Sequence, residues 1–87
     1  MTDNLDNRFV DKNGYEWTRT ARSDGGYDWT SDTGRMLCRR RREMEGGRVV
    51  ERYYARVDGL WIRRAYPSLQ VAMASAIAAG EQRGMVS

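Results

Sequence analysis

Arginine is the residue with the most chemistry to offer in this chain, and it is crowded into one stretch. From Met36 to Tyr66 the sequence reads MLCRRRREMEGGRVVERYYARVDGLWIRRAY. Arginine forks onto phosphates and guanine edges with paired hydrogen bonds, and a neighbouring tryptophan or tyrosine can stack on an exposed base. Other chemistry is scarce. The chain has no histidine and one cysteine, which rules out histidine-dependent catalysis, the usual zinc ligand sets and an internal disulfide. Asp28, Asp32, Glu43 and Glu45 are conceivable metal ligands, but acids at turns and strand edges are ordinarily solvated. Cys38 reads as a small buried hydrophobe rather than a nucleophile. Lys12, the lone lysine, lies beside a turn and gives no reason to suspect unusual reactivity. The expectation is a protein that is not an enzyme and has neither cofactor nor metal.

The elements that position these arginines are set by two glycine turns. Gly46-Gly47 and Asp58-Gly59 supply the positive φ angles of two-residue hairpins, so the stretch reads as three antiparallel strands. A two-residue turn at Asp58-Gly59 pairs Val57 with Leu60, Arg56 with Trp61, Ala55 with Ile62, Tyr54 with Arg63 and Tyr53 with Arg64. The turn at Gly46-Gly47 pairs Arg39 with Tyr54, Arg41 with Arg52, Cys38 with Ala55 and Met36 with Val57. Side chains alternate across a strand. One face therefore gathers Arg39, Arg41, Arg52, Tyr54, Arg56, Trp61 and Arg63, the candidate binding residues. The other gathers Met36, Cys38, Tyr53, Ala55, Val57, Leu60 and Ile62 as a core. Arg40, Arg42 and Arg64 fall on the core side and must reach its rim or pair, as Arg42 can with Glu51 opposite. A one-residue slip at Gly46-Gly47 would exchange Arg39 and Arg41 for Arg40 and Arg42. Arg41 opposite Arg52 sets like charges across a strand pair at a cost in stability. Arg56 over Trp61 and Arg63 over Tyr54 are candidate cation–π pairs.

The rest of the chain supports that ribbon. Residues 1–7 read as a flexible tail. Arg8–Lys12 and Tyr15–Ala21 flank Asn13-Gly14, a hairpin signal that sets Val10 opposite Trp17. Gly14-Tyr-Glu-Trp-Thr18 recurs as Gly26-Tyr-Asp-Trp-Thr30, two successive strands whose relative facing depends on the length of the turn between them. Ser31–Gly34 is a further turn. After Tyr66-Pro67-Ser68, Leu69, Ala72, Met73, Ala76 and Ile77 form an apolar stripe at helical spacing, which Gly80 or Gly84 closes. The chain is thus expected to be α+β: one domain over residues 8–84, an antiparallel β-meander of about five or six strands with one C-terminal α-helix packed on one face, and a tail at 85–87.

Eighty-seven residues, 40% hydrophobic and 31% charged, suit one small domain with a modest core. No apolar run reaches membrane-spanning length and the N-terminus does not resemble a signal peptide, so a cytoplasmic protein without a membrane partner is expected. Net charge is +3, but it is segregated. Residues 1–34 carry four bases and seven acids, and residues 35–64 ten bases and four acids. A basic block of this kind suits a polyanionic or acidic partner, unless the acidic third neutralises it within the fold.

Tyr54-Ala55-Arg56-Val57, a turn, Leu60-Trp61-Ile62-Arg63, then Tyr66-Pro67-Ser68 and an alanine-rich helix resembles the AP2-type and integrase arm-binding DNA modules. That resemblance covers residues 36–80 and implies a three-stranded sheet on DNA with Arg39, Arg41, Arg52, Arg56, Trp61 and Arg63 in contact. Arg64-Ala65-Tyr66 stands where those modules carry a glycine before the aromatic, and Gln70-Val71 replaces their acidic pair. The expected function is binding of nucleic acid or a nucleoprotein through the arginine and aromatic face. The general build is also similar to small phage anti-defence proteins, including anti-CRISPR proteins. That alternative implies an inhibitor acting by protein–protein binding to a host protein, with Trp17, Trp29 and Trp61 as candidate anchors. An exposed sheet edge could also pair two copies into a homodimer.

Overall fold

The computed structural model describes residues 7–86, with the side chains of 83–86 excepted. Six strands follow one another in a single antiparallel sheet whose spatial order is the chain order. They are β1 (Arg8–Val10), β2 (Glu16–Ala21), β3 (Tyr27–Ser31), β4 (Met36–Glu45), β5 (Arg48–Val57) and β6 (Leu60–Trp61), and one helix, α1 (Leu69–Val86), follows. The architecture is the expected α+β meander. The helix lies on β4 and β5, and between them sit Met36, Cys38, Ala55, Val57, Tyr66, Ala72, Met73, Ala76 and Ile77, with Trp17 and Trp29 joining from β2 and β3. Both echoed tryptophans thus face the core, because the five residues between Ala21 and Tyr27 are an odd number.

The two glycine turns hold the central register as expected. Gly46 and Gly47 both have positive φ, as do Asp58 and Gly59, the backbone that a two-residue hairpin matched to strand twist demands. Arg39 faces Tyr54, Arg41 faces Arg52 and Met36 faces Val57, while Arg56 faces Trp61 and Val57 faces Leu60.

Several expectations are corrected, among them Leu60, expected in the core but 57% exposed at the sheet edge. Of the others, the first is that Phe9, not Val10, stands opposite Trp17. The carboxylate of Asp11 accepts hydrogen bonds from the Asn13 and Tyr15 amides and from Trp17 Nε1, so the loop closes around that side chain and β1 stops at Val10. Second, β6 ends at Trp61. Ile62 still donates its amide to the Ala55 carbonyl, but the partner of Tyr53 is Tyr66, which both donates to it and accepts from it at 2.7 and 3.0 Å. Residues 63–65 bulge out where a straight ladder has room for one. The exchange puts the Tyr66 ring, 7% exposed, into the core in place of the Arg64 charge. Third, α1 does not end at Gly80 or Gly84. Ser68 caps its start, its Oγ accepting from the Val71 amide at 3.3 Å, and the helix continues to Val86 because Gly80 serves as a packing residue beside Val57 and Met36.

Asn7, expected in the tail, accepts the Arg19 amide at 2.7 Å and extends the β1–β2 ladder. The rest of that tail, and Ser87, lie outside the described residues. Among the described residues no helix is long and apolar enough to cross a membrane.

Candidate nucleic-acid interface

The sheet face turned away from α1 carries Thr18, Thr20, Asp28, Thr30, Leu37, Arg39, Arg41, Glu43, Glu45, Arg48, Val50, Arg52, Tyr54, Arg56 and Trp61, as the strand pairings require. Six of the seven sequence candidates are brought together there. Arg63 is the exception, an exposed residue in the bulge after β6, whose facing the ladder does not fix. Its expected cation–π partnership with Tyr54 rested on a pairing that the bulge abolishes.

Trp61 anchors the face at 41% exposure. Two guanidiniums lie over its ring, Arg39 at 4.9 Å and Arg56 at 5.5 Å from the centroid. Arg56 reaches it as a direct cross-strand neighbour and Arg39 from one strand further away. A shallow depression of about 280 Å³ opens among Arg39, Arg41, Tyr54, Trp61 and Ile62. Leu37 is buried on this outer face and stands apart from the main core, so the side chains beside it must lie across it.

Three acids on the same face divide its basic residues into two kinds. Asp28 accepts a fork from Arg39, at 2.9 Å from Nε and 3.2 Å from a terminal nitrogen, and this bonding raises the Arg39 pKa against the opposing effect of burial. Glu45 accepts from Arg52 at 2.7 Å. Glu43 accepts a short hydrogen bond from the Tyr54 hydroxyl, which with burial raises the Tyr54 pKa. Arg39, Arg52 and Tyr54 are therefore engaged. Arg41, Arg56 and Arg63 have no carboxylate within ion-pair distance among the described residues. Arg52 turns to Glu45, which offsets its repulsion from Arg41. On the core side Arg40 and Arg42 share Glu51, at 3.7 and 3.8 Å.

Glu43 and Glu45 were legible from the alternation that selected Arg39 and Arg41, since odd positions of β4 share one face. Arg48, on that face at the start of β5, follows from the same rule. Asp28 was not legible, because its facing depends on the turn between β3 and β4. Cys38 is fully buried, and burial pushes its thiol up to about 12, far from nucleophilic use at neutral pH. Asp28, Glu43 and Glu45 are spent on arginine and tyrosine, and among the described residues no group of three or more potential ligands could hold a metal ion.

Comparison with protein-family models, curated proteins and solved structures returns no match.

Proposed function

We propose that the chain is a non-catalytic binder of nucleic acid or of a nucleoprotein, engaging it through the outer sheet face in a cytoplasmic setting. The observation that carries this reading is that three arginines on or next to this face, Arg41, Arg56 and Arg63, have no carboxylate within ion-pair distance among the described residues, and that Arg41 and Arg56 lie beside a half-exposed tryptophan. Uncompensated guanidiniums attract phosphate, and the affinity they give falls steeply with salt as counterions are released. Arg39 and Arg52 stiffen the face, since their charges are already answered.

A titration of labelled nucleic acid at several salt concentrations tests this. With three arginines on phosphate, the slope of log affinity against log salt is expected near −2 to −3. R56A and R63A each flatten it by about one, and R39A does not. Trp17 and Trp29 are buried, so quenching of tryptophan emission by iodide reports chiefly on Trp61, and bound nucleic acid protects it. Absence of binding to any DNA or RNA at low salt overturns the reading.

One observation favours a second reading, a small phage-type inhibitor that grips a host protein. Asp28, Glu43 and Glu45 interleave acid with base, and Met44 and Val49 expose apolar surface at 67% and 63%, a mixture suited to protein surfaces. Co-purification of a host protein at stoichiometric yield supports it, and recovery of the bait alone counts against it.

A further inference from the structure

The helix side of the sheet is only half covered. Among the described residues α1 lies on β4 and β5 and on no other strand, so the core face of β1 has no helix above it. Phe9 stands opposite Trp17 and shares its face, yet it is left 39% exposed. A cleft of about 600 Å³ opens between Phe9 and α1. Its apolar lining is Phe9 with Leu69, Met73, Ala74 and Ile77 of the helix, and Lys12, Asn13 and Gln70 add polar groups. Met73 and Ile77 are buried while Lys12, Asn13 and Gln70 are exposed, so the floor is apolar and the lip polar. Leu69 and Ile77 lie about 12 Å apart along the helix axis, which makes the floor a trough rather than a point of contact.

Independently of the outer face and its arginines, we propose that this cleft binds a monoanionic amphiphile of the fatty-acid kind. Its unbranched aliphatic chain lies along Met73 and Ile77 against Phe9, and its carboxylate meets Lys12. A concavity of several hundred Å³, largely apolar with a few polar groups, is the usual form of a small-molecule site. Charge selects the head. Lys12 has no carboxylate within ion-pair distance among the described residues, and the first turn of α1 carries no acidic side chain. Asp11 also lines the cleft, but its carboxylate is already answered by the Asn13 and Tyr15 amides and by Trp17 Nε1. One free cation next to that carboxylate suits a single negative charge and not a phosphate dianion. The floor selects the tail, because Leu69, Met73 and Ile77 offer aliphatic surface and no polar side-chain group to a chain laid along them.

The test uses the full chain with hexanoate, octanoate and decanoate below their micelle concentrations, followed by amide chemical shifts and calorimetry. Shifts are expected at residues 9–13 and 69–77, and affinity is expected to rise about two- to fourfold per added methylene. K12A, at an exposed position, is expected to weaken decanoate about two- to fivefold and to leave decanol unchanged. A74W fills the cleft from an exposed helix position and is expected to abolish binding with an unchanged melting temperature. A78W, exposed on α1 outside the cleft, is expected to bind as the parent does. Affinity independent of chain length, decanoate binding by K12A or A74W equal to that of the parent, or shifts confined to the outer sheet face overturn the proposal. A response to anionic phospholipid vesicles without one to the monomeric carboxylates overturns it in favour of a membrane surface. Cleft shifts that grow with protein concentration alone, with none on adding carboxylate, overturn it in favour of a second copy of the chain.

Discussion

Asp11 shows how one side chain can set a register that turn chemistry alone would place differently. Asn13-Gly14 favours a tight hairpin, yet the Asp11 carboxylate collects two backbone amides and the indole of Trp17, a residue with no exposed surface. Burial raises the Asp11 pKa, but the hydrogen bonds from Trp17, Tyr15, Asn13 and Gly14 outweigh it and hold the carboxyl below its ordinary value. A carboxyl with a depressed native pKa adds stability above its unfolded value of about 4, and that contribution disappears as pH falls through the native value. D11A orphans the buried indole donor, so it is expected to cost about 1–3 kcal/mol at pH 7. In urea titrations the gap between parent and variant should stay level from pH 7 to about 5 and narrow below about 4. A gap independent of pH would mean that the carboxylate charge contributes nothing to this loop.

At the scale of elements, two glycines of similar appearance in the sequence have opposite roles. Gly80 lies within α1 with ordinary helical φ, and a methyl group there would meet Arg35, Val57 and Met36 at 3.8–3.9 Å, normal contact distances. G80A is expected to stabilise the protein by about 0.5–1 kcal/mol, the helix-propensity difference. Gly26 opens onto β4, and a methyl group there would stand 2.8 Å from the Arg40 carbonyl oxygen. Backbone cannot swing aside as a side chain can, so G26A is expected to cost about 1–3 kcal/mol. Thermal unfolding of the two variants should move the melting temperature in opposite directions. The contrast also marks what is readable in the chain. The β4–β5–β6 register was legible because Gly46-Gly47 and Asp58-Gly59 leave each turn a single economical geometry, and the face that collects Arg39, Arg41, Arg52, Tyr54, Arg56 and Trp61 follows from it. The β6 bulge was not legible, because it is decided by whether Tyr66 or Arg64 is buried beneath a helix three residues further on. The helix end was hidden for a related reason: glycine as a stop and glycine as a contact are the same letter.

For the molecule as a whole, the question raised by the segregated charge has a local answer. Among the described residues only the Arg39–Asp28 pair joins the acidic first third to the basic middle, and the other ion pairs lie within one segment or the other. The acidic third therefore leaves most of the basic block unneutralised. The molecule is a thin slab, 22 Å in its shortest dimension, with one helix as its second layer, so whatever fastens that helix governs the whole core. Arg35 is the fastening. Its guanidinium forks onto Asp58 at 2.7 and 2.9 Å and also donates to the Gly80 carbonyl at 3.2 Å, joining the start of β4, the β5–β6 turn and the middle of α1. The bonding to Asp58, first by hydrogen bond and then by charge, raises the Arg35 pKa against burial. The group is largely solvent-exposed, so R35A is expected to lower the melting temperature only slightly. Lysine keeps the charge but cannot reproduce the fork, so R35K should recover less than half of that loss. The decisive measurement is native-state amide exchange. Because one side chain bridges both elements, R35A should accelerate exchange at Asp58-Gly59 and in the helix beyond Gly80 by similar factors. Acceleration at the turn alone would show that the apolar stripe of α1 holds the helix without Arg35.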